Sequence, residues 1–154
     1  MENRFMARAI QLSVDNVRMG GGPFGAVVVK DGSIIGEGAN QVSTLNDPTA
    51  HAEMLAIRRA CLKLGAFDLE GCEIYSSCEP CPMCLGAIYW ARLSCVYFAN
   101  TAADAAAIGF DDVFIYRELE QPFERRKIPM VQIMRDQAAE GFRAWKDKPD
   151  KVSY

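Results

Sequence analysis

Residues 72–99 read CEIYSSCEPCPMCLGAIYWARLSCVYFA, and this stretch decides the fold. Residues 72–77 have the composition of a buried strand, and Cys78-Glu79-Pro80 marks a turn. Residues 81–91 are predicted as a helix opening on Cys-Pro, and residues 94–99 return to strand character. Strand, helix, strand in so short a span implies two parallel neighbours joined by a right-handed crossover.

Upstream, residues 3–19 carry apolar side chains at helical spacing, and Gly20-Gly21-Gly22-Pro23 ends that helix. Residues 24–30 and 33–39 are predicted strands around the hairpin signal Asp31-Gly32. Asp47-Pro48 is read as an N-cap followed by proline at the first helical position, with the helix running to Leu64 and stopping at Gly65. Downstream, residues 101–108 form a short helix that Gly109-Phe110-Asp111-Asp112 breaks. Pro122 and Pro129 bracket a charged connector, residues 130–134 are expected as a fifth strand, and residues 137–146 as the last helix. This pattern is α/β, in one domain over residues 1–154.

The chain has 154 residues, half of them apolar, enough for one proper core. No apolar run approaches the roughly 20 residues that span a bilayer. The N-terminal residues lack the basic and apolar regions of a secretory signal, so the expected compartment is the cytoplasm, with thiols reduced. Six cysteines might suggest a disulfide framework, but such frameworks belong to short secreted scaffolds with little core. The net charge of −3, with basic residues scattered apart from Arg125-Arg126-Lys127, argues against a nucleic-acid partner.

The only histidine stands in Thr49-Ala50-His51-Ala52-Glu53, and Cys81 and Cys84 stand three apart at a helix start. One imidazole and two thiolates supply three protein ligands to a zinc ion and leave the fourth position to water or hydroxide, which is the pattern of a catalytic site. Helix N-termini favour thiolate over thiol. Glu53 lies two residues beyond the histidine, on another side of its helix, and reads as a base beside the water rather than a fourth ligand. This combination is the signature of zinc base deaminases. A closed structural zinc site with Cys78 as the fourth ligand is the competing reading, and a Cys-X-X-Cys redox dithiol is another. Cys61, Cys72 and Cys95 read as core residues.

On these residues the chain resembles the cytidine deaminase-like superfamily, and within it the bacterial guanine deaminases. The resemblance runs nearly end to end. It is carried by residues 22–27, residues 46–53, the run 77–91 and Gly109-Phe110-Asp111-Asp112. It implies a three-layer α/β/α sandwich around a five-stranded mixed sheet, and a homodimer whose C-terminal segments are domain-swapped. It implies one zinc per subunit on His51, Cys81 and Cys84, with Glu53 as the general acid-base residue. Asn40 is implied to hydrogen-bond the purine, Phe24 and Trp90 to flank its ring, Asp112 to carry a second proton near the exocyclic amine, and Tyr154 to reach the partner's site. Each of these has a plainer reading: core aromatics for Phe24 and Trp90, a turn former for Asn40, a helix cap for Asp112 and a frayed end for Tyr154.

The reaction so implied is the hydrolysis of guanine to xanthine and ammonia. A tRNA adenosine deaminase, a guanosine or cytosine deaminase, and a non-catalytic zinc-binding module are the rival functions.

Overall fold

The computed structural model describes residues 3–153. The elements, in chain order, are α1 (Arg4–Arg18), β1 (Gly25–Lys30), β2 (Ser33–Ala39), α2 (Val42–Leu45), α3 (Ala52–Leu64), β3 (Glu73–Cys78), α4 (Pro82–Trp90), β4 (Cys95–Asn100), α5 (Ala102–Ala107), α6 (Asp112–Glu120) and α7 (Arg135–Asp147). Two compact units result, Met1–Val113 and Phe114–Tyr154.

The first unit holds a mixed four-stranded sheet in the order β2-β1-β3-β4. The β1–β2 hairpin turns through Asp31 and Gly32, both at positive φ (48° and 70°), as the Asp-Gly signal predicts. β3 and β4 run parallel around α4, in register from Glu73↔Cys95 to Cys78↔Asn100. β1 is buried on both faces: Ala26 and Val28 meet Ala52, Ala56 and Ile88 from α3 and α4, while Val27 and Val29 meet Tyr75 and the α1 residues Phe5, Met6 and Leu12. Helices therefore cover both faces of the sheet.

α3 sits directly on β2 because Gly36 and Gly38 have no side chains. A Cβ on Gly38 would collide with Ala52 O, and one on Gly36 with Ala56 O. This contact sets where the first turn of α3, and hence the candidate metal site, lies against the sheet.

Three expectations are corrected. The helix read from Pro48 starts at Ala52, with His51 as its N-cap residue. Asp47 Oδ1 accepts from both the N–H and the hydroxyl of Thr49 (2.8 and 2.7 Å), so its side chain stabilises a local turn instead of capping the helix. A short α2 precedes it, closed by Asn46 in the left-handed region. Secondly, α6 begins at Asp112, the last residue of the run read as a break, and covers residues 113–120, which the sequence pattern assigned to no element. Thirdly, residues 130–134 form no strand among the described residues, so the sheet has four strands, not five. Val131 and Ile133 there are 79% and 75% exposed, and a strand needs a neighbour to complete its ladder of hydrogen bonds.

In the second unit, α7 lies close to its predicted bounds and begins from Met134 in a left-handed conformation. Among the described residues no helix is long and apolar enough to cross a membrane.

Candidate metal centre

Two helix starts converge at the C-terminal end of β3. His51 precedes α3 and Cys81 precedes α4, each as the N-cap residue with extended backbone, and Pro82 opens α4. Cys84 follows one turn later and is fully buried. His51 Nδ1 lies 3.5 Å from Cys81 Sγ and 3.5 Å from Cys84 Sγ. Zinc bonds of about 2.0 Å to nitrogen and about 2.3 Å to sulfur at a tetrahedral angle separate N from S by about 3.5 Å. The donor set and its spacing thus fit one tetrahedral zinc ion.

These three residues form the cluster, among those described, whose ligand atoms all lie within 4.8 Å of one another. Cys78 is not in it. Its Sγ faces Thr101 O at 3.6 Å, and burial pushes its thiol up to about 11. The closed structural site therefore loses its fourth ligand. All six cysteines are free, Cys72 within the core, and no disulfide framework exists.

A hydrogen bond from Cys84, helped by His51, holds the Cys81 thiol down to about 4. Cys84, which gives that hydrogen bond and is itself buried, is shifted upwards. The hydrogen bond to Cys81 also raises His51.

Glu53 is 5% exposed. Its Oε1 accepts from Ser76 Oγ at 3.0 Å and its Oε2 from Cys84 Sγ at 3.5 Å. Burial raises its pKa, because removing a carboxylate from water favours the protonated form. A carboxyl group next to a metal site and able to hold a proton is suited to proton transfer.

A cavity of about 350 Å³ opens over these groups, lined by Phe24, Asn40, Val42, Pro48, His51, Glu53, Glu79, Cys81, Phe110 and Asp112. Phe24 meets Phe110 edge to face, with centroids 4.9 Å apart at 89°. Asn40 is 8% exposed, and its Oδ1 accepts from Val42 N–H at 3.3 Å, which leaves its NH₂ to donate. Asp112 is raised by burial. Among the described residues, the lining contains three carboxyl groups and no lysine or arginine.

The structure therefore brings His51, Cys81, Cys84, Glu53, Phe24, Asn40 and Asp112 together. Trp90 is the exception: it is 70% exposed, is not among the lining residues, and lies six residues past Cys84, about 9 Å further along α4. Tyr154 lies outside the described residues. Sequence reasoning missed Ser76, Glu79 and Phe110. Phe110 was legible only as the neighbour of Asp112, and nothing local marks Ser76 as the partner of a glutamate 23 positions away.

A sheet covered on both faces, with three metal donors and a buried carboxyl at two helix starts, defines a zinc protein of hydrolytic design. The chain belongs to the family of the cytidine and deoxycytidylate deaminase zinc-binding region, whose model matches residues 1–100. It is 55% identical over 151 residues to guanine deaminase from Bacillus subtilis (strain 168), covering 97% of each chain. The crystal structure of guanine deaminase from Bacillus subtilis matches with a TM-score of 0.96, 54% identity, and coverage of 100% of this chain and 99% of that one. A structure of guanine deaminase from Nitrosomonas europaea matches at 36% identity and TM-score 0.68, over 70% of this chain and 63% of that chain. A tRNA-specific adenosine deaminase from Aquifex aeolicus is 41% identical over 77% of this chain and 76% of its own.

Proposed function

We propose that this chain hydrolyses guanine to xanthine and ammonia, with residues 1–154 acting as one deaminase domain. The observation that carries the reading is the cavity lining: aromatic walls, an amide donor and acidic groups beside the metal donors, with no lysine or arginine. A polynucleotide substrate would need cationic contacts for its phosphates, so the lining favours a neutral base over tRNA. The nearly end-to-end similarity to a guanine deaminase supports the same choice.

His51, Cys81 and Cys84 would hold the zinc. When bound, zinc supplies Lewis acidity that makes water a competent nucleophile at neutral pH. Phe24 packs against the purine ring and Asn40 donates to one of its acceptors. Glu53 takes a proton from the water that attacks C2 and delivers it to ring N3. Asp112 passes the second proton of that water from the C2 hydroxyl to the exocyclic nitrogen, the C2–N bond breaks, and ammonia leaves as the water's oxygen becomes the C2 carbonyl. Glu53 and Asp112 are both raised by burial and so can hold the protons they pass on. Trp90 as a second flanking ring and Tyr154 as a contribution to a partner's site are supported by the resemblance alone.

We also read the working form as a cytoplasmic homodimer with exchanged C-terminal segments. β4 ends the sheet with Tyr97 and Phe98 41% and 48% exposed, an edge that invites a further strand, and residues 130–134 supply an apolar segment without one. Light scattering of the purified protein tests the dimer. Ammonia release from guanine, guanosine, cytosine, adenine and an adenosine-containing tRNA stem-loop tests the substrate. Guanine is expected to react fastest, and an inert guanine beside an active stem-loop would overturn the reading.

A further inference from the structure

The walls of the cavity are tied together by a residue that does not line it. Asn16, near the end of α1, is 6% exposed. Its Nδ2 donates to Gly22 O and to Asn40 O, both at 2.7 Å. Gly22 O also accepts from Phe24 N–H at 2.9 Å, and Phe24 O accepts from Asn40 N–H at 3.1 Å. Asn16, Gly22, Phe24 and Asn40 thus form a closed hydrogen-bonded circuit that includes both residues assigned to hold the base.

The circuit is tightly packed. A Cβ on Gly21 would lie 2.7 Å from Asn16 Cγ, and one on Gly22 would lie 3.1 Å from Asn40 Oδ1. One carboxamide NH₂ carries two donors and so can satisfy two converging carbonyls at once. Without Asn16, Asn40 O loses this donor and Gly22 O keeps only Phe24 N–H, so the turn before β1 and the end of β2 lose their shared tie to α1.

We propose that Asn16 is a positioning residue of the substrate pocket: its NH₂ group sets the Phe24 wall and the Asn40 amide at the spacing that base binding needs. The inference rests on the reading of the cavity as a base-binding site. A merely structural staple would lower stability and leave substrate affinity alone.

In the zinc-loaded protein, Asn16→Ala should raise KM for guanine about tenfold while kcat stays within about threefold. On an Asn40→Ala background the same substitution should raise KM by clearly less than in the wild type, because the part of its effect that passes through the Asn40 amide is already lost. An unchanged KM with a lowered Tm, or fully additive effects, overturns the proposal. Should the alanine variant fail to fold, the wild-type protein decides: the Asn16 side-chain amide protons should exchange far more slowly than those of exposed Asn3, and equal rates overturn the circuit. Slow exchange with guanine inert rejects the substrate but not the circuit. Fast exchange with guanine turned over rejects the circuit alone.

Discussion

Ser76 Oγ donates to Glu53 Oε1 at 3.0 Å, across 23 positions of sequence, from the middle of β3 to the first turn of α3. The hydroxyl leaves the other oxygen, Oε2, toward Cys84 and the metal donors. A strand residue buried to 1% exposure therefore aims the proposed proton carrier. Removing a hydrogen-bonding partner of this kind typically costs about 10- to 100-fold in activity or metal affinity. Ser76→Ala should lower kcat by about tenfold with zinc content unchanged, as read by steady-state kinetics and metal analysis.

Glu53→Gln keeps the size of the side chain and removes its capacity to carry a proton. Loss of general acid-base catalysis is worth about 10²- to 10⁴-fold, so turnover should fall into that range while one zinc per chain is retained. Turnover within tenfold of wild type would remove Glu53 from the role.

Cys78 and Cys81 are three apart, as are Cys81 and Cys84, yet only the second pair shares the cluster with His51. Cys78→Ala should retain one zinc per chain and Cys81→Ser should lose it. Chelation of the wild-type protein should abolish ammonia release and lower Tm, and added zinc should restore both.

Gly38 lets Ala52 approach β2 without a side chain between them. Gly38→Ala forces α3 away from the sheet at the turn that carries His51 and Glu53. Overpacking of this kind costs about 1–3 kcal/mol or more. Thermal unfolding should show that loss together with weaker zinc retention, whereas Gly141→Ala, with open space around its Cβ, should show neither.

Arg8 and Glu37 make a two-pronged ion pair at 2.8 and 2.7 Å. The hydrogen bond from Arg8 holds the Glu37 carboxyl below its ordinary range. Its stabilisation is therefore present above the unfolded carboxylate pKa and lost as pH falls through the lower folded value. Both side chains are about a third or more exposed, so the contribution is small. The Tm difference between wild type and Glu37→Gln should be modest near pH 7 and should shrink as pH falls below the ordinary carboxylate range.

Several parts of this molecule were legible locally. The Asp31-Gly32 hairpin, the crossover from β3 through α4 to β4, and the pairing of His51 with Cys81 and Cys84 all follow from turn chemistry, periodicity and ligand type. The first two are rules that neighbouring residues obey among themselves, and the third rests on which side chains can bind a metal. The start of α3 was misread because Asp47 had two possible bonding partners, the helix and Thr49, and the nearer one won. Residues 130–134 have strand composition but no neighbouring strand here, and composition cannot supply one.

The sequence by itself determined the chemistry: which three side chains can grip a metal, and which carboxyl stands beside them. Only the tertiary structure decided how those groups are held. Ser76 reaching Glu53, Phe110 closing on Phe24, Cys78 turned away towards Thr101, and Asn16 binding two strand ends together are all contacts between residues more than five positions apart in the chain. Their geometry comes from the packing of helices on both faces of one sheet, which no local pattern encodes.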